Sequence, residues 1–458
     1  MRLFWISVVF LFKFMYSSIN YFRAEIGPNT FLNEDKMEFT KPNGKRRVVV
    51  TGGGMVSALG RDWETAYANL KTCKNKIRYM PEWERYTKMN TRLACPFDEE
   101  LPSFPRKKVR GMGRVALLGL LSTHDALAMA GLLAEDGDDV IEELKNGRTG
   151  IAYGTCMGSM DAIGDLAKMV ETGDSSHLNS QTYIKAMPQT NACNMSVYWQ
   201  IRGRVIVTDT ACTSGSQSIG YGYEAIEDGR QEIMICGGAE ELSAPDAAIF
   251  DTLGATSCLN KTPEATPKCF DKDRDGLVIG EGAGTLILED LEHVVKRGAK
   301  IYCEIAGFAT NMDGSHITSP NSETQAKCLE MAIEDAGISK DQIAYVNAHG
   351  TATPHGDISE TQAVYKAFGR AIPISSTKSY IGHILGACGC VESWLTINMM
   401  NEGWFHPNVN LVNIDPECAP LDYIQGQGRN IDAEYVMANN FAFGGVNTSL
   451  IFKKWHNQ

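Results

Sequence analysis

The sequence has no excess of positive charge: 43 Lys+Arg stand against 55 Asp+Glu, a formal charge of −12. That balance excludes a nucleic-acid binder working through a large basic surface. Repeating cysteine spacing is also missing. The 13 Cys are scattered over 458 residues, unlike the framework of a small secreted domain, so a reducing, cytoplasmic setting is expected. Histidine is scarce, with nine in the chain. Long apolar runs are nearly absent as well. The one candidate, Leu3 to Phe12 closed by Lys13, is too short for a comfortable transmembrane helix, and no stable membrane span is expected. It reads either as a targeting peptide or, the favoured reading, as an extension over residues 1–36 ahead of a true start at Met37.

What is present points to an α/β enzyme. At ~150 residues per domain the length gives about three domains or two large intertwined halves, and 43% hydrophobic residues are enough to fill a core. The 44 Gly fall in runs such as VVVTGGG, CGGAEE, GEGAG and FGG, which read as strands turning tightly into helices. Val48 to Thr51 reads as a buried strand ending in the turn Gly52-Gly53-Gly54, with a helix from Asp62 onward. The run GGGMVS lacks the third glycine of a dinucleotide fingerprint, so no nucleotide cofactor is expected.

Further strands are expected at 149–154, 205–208, 232–236, 302–309, 343–347, 373–375 and 436–440, and helices at 115–133, 191–200, 217–226, 323–336 and 386–401. The segment from 155 through His177 reads as a polar loop, and residues 80–110, rich in proline, as an irregular excursion ending in Arg106, Lys107 and Arg110. Both halves close on a strand running into paired glycines, Gly237-Gly238 and Gly444-Gly445. This pattern reads as a pseudo-duplicated α/β architecture divided near 290–300, with halves over 46–295 and 296–454.

Cys212, in DTACTSGSQ, directly follows a strand and precedes a helix. A thiol there meets unpaired N–H groups and the positive end of the helix dipole, so the thiolate is expected to be favoured and an oxyanion could be held. His349 in NAHGTATPHGD follows another strand, and His383 in STKSYIGHILGACG precedes a helix rich in small residues. Taken singly, each of these has a bland reading: a buried cysteine, a satisfied core histidine, a solvated Lys378. Cys388 and Cys390, flanking Gly389, read as tight helix packing and not as a metal or redox pair.

Together, the runs VVVTGGGMVSALG, DTACTSGSQ, FDKDRDGLVIGEGAG, NAHGTATPHGD, STKSYIGHILGACG and NNFAFGGVN resemble the elongating β-ketoacyl-(acyl carrier protein) synthases over residues 46–454. The resemblance implies a thiolase-like fold, two α/β halves in five αβαβα layers, and an enzyme without metal or cofactor. It implies that Cys212 carries the acyl chain as a thioester, with an oxyanion hole from the N–H groups of Cys212 and Phe443. Neutral His349 and His383 would stabilise the enolate left by malonyl decarboxylation. Lys378 would pair with Glu392 to tune the histidines, and Phe443, with Phe441 beside it, would gate the acyl pocket. Thr351 and Thr353 would hold the phosphopantetheine arm. The expected partners are acyl carrier protein, docked by Arg106, Lys107 and Arg110, and a second copy of the chain. Ala352, Val446 and Asn347 depart from the common family pattern, which leaves substrate range open.

Rival readings are a thiolase-like transferase, a non-condensing chain-length partner subunit of a heterodimeric ketosynthase, a Cys–His hydrolase with Asn347 or Asn439 as orienter, and a zinc site. The first lacks a Cys-x-Gly-Gly run, because Phe443-Gly444-Gly445 stands near the C-terminus. The second would lack the nucleophile, and the zinc reading lacks closely spaced ligand pairs.

Overall fold

The computed structural model describes residues 38–456; the apolar run near the N-terminus and the candidate start at Met37 lie outside them. No described helix is long and apolar enough to cross a membrane.

The principal strands are β1 (Val48–Val56), β2 (Thr149–Gly154), β3 (Val205–Thr208), β4 (Ile233–Glu240), β5 (Gly282–Asp290), β6 (Cys303–Met312), β7 (Ile343–Asn347), β8 (Pro373–Ser375), β9 (Tyr435–Phe441) and β10 (Val446–Lys454). They form the order β3-β2-β4-β5-β1 followed by β6-β10-β9-β7-β8, with a two-residue strand Asp422–Tyr423 at the end. The second run repeats the first. Each begins with two antiparallel steps, β1 to β5 to β4 and β6 to β10 to β9, and finishes with two parallel ones. Pairing of Val48–Val50 with Cys303–Ile305 joins both runs into a single eleven-stranded sheet. Helices α1 (Arg114–Met129), α2 (Ser214–Glu227), α3 (Ser322–Ala336), α4 (Pro354–Phe368) and α5 (Cys388–Glu402) make the layers. α1 covers one outer face against β1, β4 and β5, and α3 the other against β6 and β10. α2 and α5 touch strands of both runs and are buried nearly all round. A helix without a polar face is what a central layer requires.

Small residues make this closeness possible. The Gly52-Gly53-Gly54 turn expected from the sequence is instead strand, as is Gly237-Gly238. These positions lack a side chain because helices press on the sheet from both sides. A Cβ on Gly53 would lie 2.3 Å from the Trp394 ring of α5, and one on Gly54 would lie 2.1 Å from the Ser122 carbonyl of α1. Gly54→Ala is therefore expected to cost about 1–3 kcal/mol or more, since a backbone oxygen must move; the shift of the urea midpoint at constant m measures it. The expected small-residue packing of the Cys388-Gly389-Cys390 run is present too. A Cβ on Gly389 would meet the Ser216 nitrogen at 2.4 Å, and the Cys390 thiol donates to the Gly215 carbonyl at 3.2 Å. Gly444 and Gly445, by contrast, do form a turn, with φ of +94° and +81° between β9 and β10.

The segment expected as a polar loop contains the helix Met160–Thr172. Its apolar residues do recur at helical spacing, Ala162 and Ile163, Leu166 and Ala167, Met169 and Val170, so the periodicity was legible and the loop expectation overlooked it; only Ala162 is buried. All 13 cysteines are unpaired.

Candidate active site

Cys212 stands on one 3-10 turn, Ala211–Thr213, between β3 and α2. Ala211 holds a left-handed φ of +51°, a conformation that costs a non-glycine residue about 1–2 kcal/mol. The resulting sharp reversal places the sulfur at the head of a helix, beside a cavity of ≈ 400 Å³. The N–H groups of Phe443 and of Cys212 itself point at the sulfur.

The expected favouring of thiolate is overturned. Cys212 is 4% exposed, and burial raises its thiol to about 11, against the opposing pull of Lys378 and the two N–H groups. The helix terminus offsets only part of the desolvation cost.

His383 is fixed through its backbone: its N–H donates to Val278 at 2.7 Å and its carbonyl accepts from Gly280 at 2.9 Å. Its Nε2 lies 3.0 Å from Cys212 Sγ, and its Nδ1 accepts the N–H of Leu385 at 3.1 Å. A ring nitrogen that accepts carries no proton, so Nε2 is the protonated one. His349, at the carboxyl end of β7, stands with its ring 5.2 Å from that of His383 at 85°. Burial, followed by the charge of Lys378, holds both imidazoles well below the ordinary histidine value, and so neutral.

The sulfur and one nitrogen of each ring lie within 4.8 Å of one another, a spacing that would suit a metal. The Nε2 proton of His383 leaves it no lone pair to offer one.

Lys378 is 1% exposed and its Nζ lies 2.5 Å from Glu392 Oε1. Burial alone would lower its pKa, but the carboxylate and neighbouring thiols raise it. Burial raises Glu392, while the ammonium and the Asn440 amide hold it down. Lys378→Ala would strand that carboxylate, a loss of about 3–5 kcal/mol. Denaturant unfolding should show the Lys378→Ala/Glu392→Ala double variant recovering a good part of it; equal losses in both would refute the pairing.

Phe443 packs its ring on Phe250 at 5.3 Å and 33°, and Phe441 stands edge-on to His349 at 6.3 Å. The Thr351 and Thr353 hydroxyls are 2.8 Å apart, and both threonines line the cavity with Cys212, His349 and His383. Arg106, Lys107 and Arg110 are exposed and lie outside that lining. Ala352 adopts a φ of +62°, in the left-handed region that favours glycine.

The sequence reading missed two groups. Glu360, 2% exposed, accepts the N–H of His349 at 2.7 Å and of Gly350 at 2.6 Å, and burial pushes its carboxyl up to about 8. The signal was Asp357 and Glu360, one turn apart at the head of α4, where acids face the loop they cap. Asn440 contacts both Glu392 and His349. Its signal was weaker, because Asn439 and Asn440 look alike in sequence. Neither Asn347 nor Asn439 bonds a histidine: Asn347 donates to Thr377 and Thr396, and the Asn439 amide has no partner among the described residues.

Comparison with known proteins agrees with this geometry. The family model "Beta-ketoacyl synthase, N-terminal domain" matches residues 45–294 and "Beta-ketoacyl synthase, C-terminal domain" residues 302–412. The chain is 37% identical to 3-oxoacyl-(acyl-carrier-protein) synthase 2 of Vibrio cholerae, over 90% of this chain and 99% of that one. It is 35% identical to 3-oxoacyl-(acyl-carrier-protein) synthase 1 of Haemophilus influenzae, over 90% and 100%. A crystal structure of a beta-ketoacyl synthase from Burkholderia phymatum superimposes with a TM-score of 0.87 at 51% identity, covering 90% of this chain and all of that one. Motifs, fold and site geometry thus converge, and the chain belongs to the β-ketoacyl synthase family, condensing acyltransferases with a thiolase-like fold.

Proposed function

We propose that the chain extends acyl groups held on acyl carrier protein, by decarboxylative Claisen condensation in fatty acid biosynthesis. Cys212 Sγ attacks the acyl thioester, its proton leaving with the carrier thiol, and the N–H groups of Cys212 and Phe443 take the developing oxyanion. A malonyl thioester follows. As its carbon–carboxylate bond breaks, the electron pair passes to an enolate whose oxygen accepts N–H from His349 and His383. The enolate carbon attacks acyl-Cys212, and the sulfur leaves as a thiolate that takes one proton from solvent to restore the resting thiol. Burial and the Lys378 ammonium, which Glu392 holds in place, keep the imidazoles neutral, Phe441 and Phe443 separate the two substrates, and Thr351 and Thr353 bond the phosphopantetheine arm. In this reading the 46–295 half supplies the nucleophile and the 296–454 half the histidines.

One observation carries the reading: Nδ1 of His383 accepts the N–H of Leu385, and Nδ1 of His349 lies 3.3 Å from the Asn440 amide nitrogen, a group that can only donate. A hydrolase base needs the reverse, an acceptor holding Nδ1–H so that Nε2 is free to take the nucleophile's proton. Here both rings are set as Nε2–H donors, the requirement of enolate stabilisation. The chain-length partner reading is not favoured, because the nucleophile and both donors are present.

Partners follow from charge and exposure. At a net charge of −12 the chain needs a local basic patch to receive an acidic carrier, and exposed Arg106, Lys107 and Arg110 supply one. A homodimer is supported by the outer edge of β3, where Val205 and Val207 are 44% and 39% exposed, an edge that a second copy would cover. A reducing cytoplasmic setting suits the 13 unpaired cysteines. The test is intact mass spectrometry after incubation with a panel of acyl-loaded carriers and malonyl carrier. Acyl adducts on Cys212 and two-carbon longer carrier products are expected; adducts that hydrolyse without elongation would overturn condensation.

A further inference from the structure

Glu392 lies in a site 2% exposed with the Lys378 ammonium 2.5 Å from Oε1, so its other oxygen can only accept. That oxygen, Oε2, lies 2.8 Å from Asn440 Nδ2. An amide offers a donor nitrogen and an acceptor oxygen, and facing a carboxylate it must present the nitrogen. The same nitrogen lies 3.3 Å from Nδ1 of His349. Its second proton therefore points at the ring, Nδ1 must accept, and the ring proton is left on Nε2, on the cavity side. The orientation of Asn440 is thus dictated by the ion pair behind it.

From this geometry we propose that Asn440 is a positioning residue that fixes the tautomer of His349, relaying the Lys378–Glu392 ion pair into an Nε2–H donor aimed at the cavity. His383 needs no such side chain, because a main-chain N–H, that of Leu385, does the same at its Nδ1. The two histidines are set alike by different means, one written in the backbone and one in a replaceable residue. Cys388, whose thiol donates to the Cys212 carbonyl at 3.1 Å, sits 3.6 Å from the same amide nitrogen; for the second amide proton a thiol sulfur is a weaker acceptor than the ring nitrogen at 3.3 Å.

The inference deepens the condensation reading and rests on it for its catalytic consequence, but the tautomer itself is measurable without catalysis. In Asn440→Asp, the oxygen replacing Nδ2 holds at most one proton, which Glu392 takes. Nδ1 then faces an acceptor and acquires the ring proton. In Asn440→Leu neither tautomer is favoured.

The experiment uses the full-length protein labelled with nitrogen-15 histidine, with long-range proton–nitrogen correlation assigned by comparison with His349→Ala. The non-protonated nitrogen of His349 should be Nδ1 in the parent and Nε2 in Asn440→Asp. Malonyl-carrier decarboxylation should fall about 100-fold in Asn440→Asp, the loss expected for one oxyanion donor, and about 10-fold in Asn440→Leu. Labelled acyl transfer to Cys212 should persist in both, showing an intact fold. His349 retaining Nε2–H in Asn440→Asp would overturn the proposal, as would unchanged decarboxylation in both variants. A parent enzyme that neither loads Cys212 nor decarboxylates would instead refute the condensation reading, leaving the tautomer measurement to decide Asn440.

Discussion

Cys212→Gln protein is expected to lose condensation by at least ~10³-fold, as for removal of a covalent nucleophile, while still releasing carbon dioxide from malonyl carrier at or above the parent rate. The two half-reactions use different atoms. Acyl transfer needs the sulfur; decarboxylation needs only an oxygen acceptor placed before His349 and His383, whose rings stand 5.2 Å apart. Glutamine is the informative replacement because its amide carbonyl can reach the N–H groups that face the sulfur, mimicking the carbonyl of an acyl-cysteine. The enzyme would then sit permanently in the state that awaits malonyl. Carbon dioxide release and elongated product are followed in the same reaction. Loss of both together would mean that the sulfur also serves decarboxylation, and the division of labour would fail.

That division also explains why a thiol pushed up to about 11 by burial is no obstacle. A resting thiolate in so dry a site would be costly. With a thiol, proton and acyl group exchange between Cys212 and the carrier sulfur, and no net charge enters the cavity. The ammonium of Lys378 and the two N–H groups lower the cost of a transient thiolate without making it the resting form.

Much of the architecture was legible because strand signals were strong. The ranges 149–154, 205–208, 343–347 and 373–375 read from β-branched runs match the observed strands. The glycine runs misled for an identifiable reason. In sequence a glycine that turns and a glycine that makes room look the same, and only the approach of α1 and α5 to Gly53 and Gly54 distinguishes them. Cys212, His349 and His383 could be singled out because each stands at a junction between strand and helix. Asn440 could not, since it acts through a ring nitrogen that a one-dimensional pattern does not bring near it, and Glu360 left only the weaker sign of two acids one turn apart in α4. The thiol's poise was misjudged for a related reason: a helix terminus is visible in sequence, whereas the 4% exposure that outweighs it is not.

His383→Ala and His349→Ala should each lower malonyl decarboxylation by about 10²–10³-fold, the range measured for loss of one oxyanion donor, while Cys212 still accepts a labelled acyl group. The prediction follows from where protons reside. Nε2 of His383 is 3.0 Å from Cys212 Sγ, yet it is the protonated nitrogen, because Nδ1 accepts from Leu385. It can donate toward the sulfur or an enolate oxygen but cannot take the thiol proton. Were it a base, His383→Ala would abolish loading, and that outcome would sink the proposed role. The pH dependence has a definite sign. Protonating either ring requires a proton on Nδ1, which would oppose it to Leu385 N–H or to the Asn440 amide, in a site already carrying the Lys378 ammonium. Both imidazoles are accordingly held well below their ordinary value, and decarboxylation by Cys212→Gln protein should stay level as pH falls through about 6.5, where an unperturbed histidine titrates. In Cys212→Gln/Lys378→Met protein one depressing charge is gone, the imidazoles regain affinity for protons, and the acid limb should move toward neutrality. An acid limb already centred near 6.5 in the Cys212→Gln protein would show that the rings titrate freely, contrary to their burial and their bonded Nδ1 atoms.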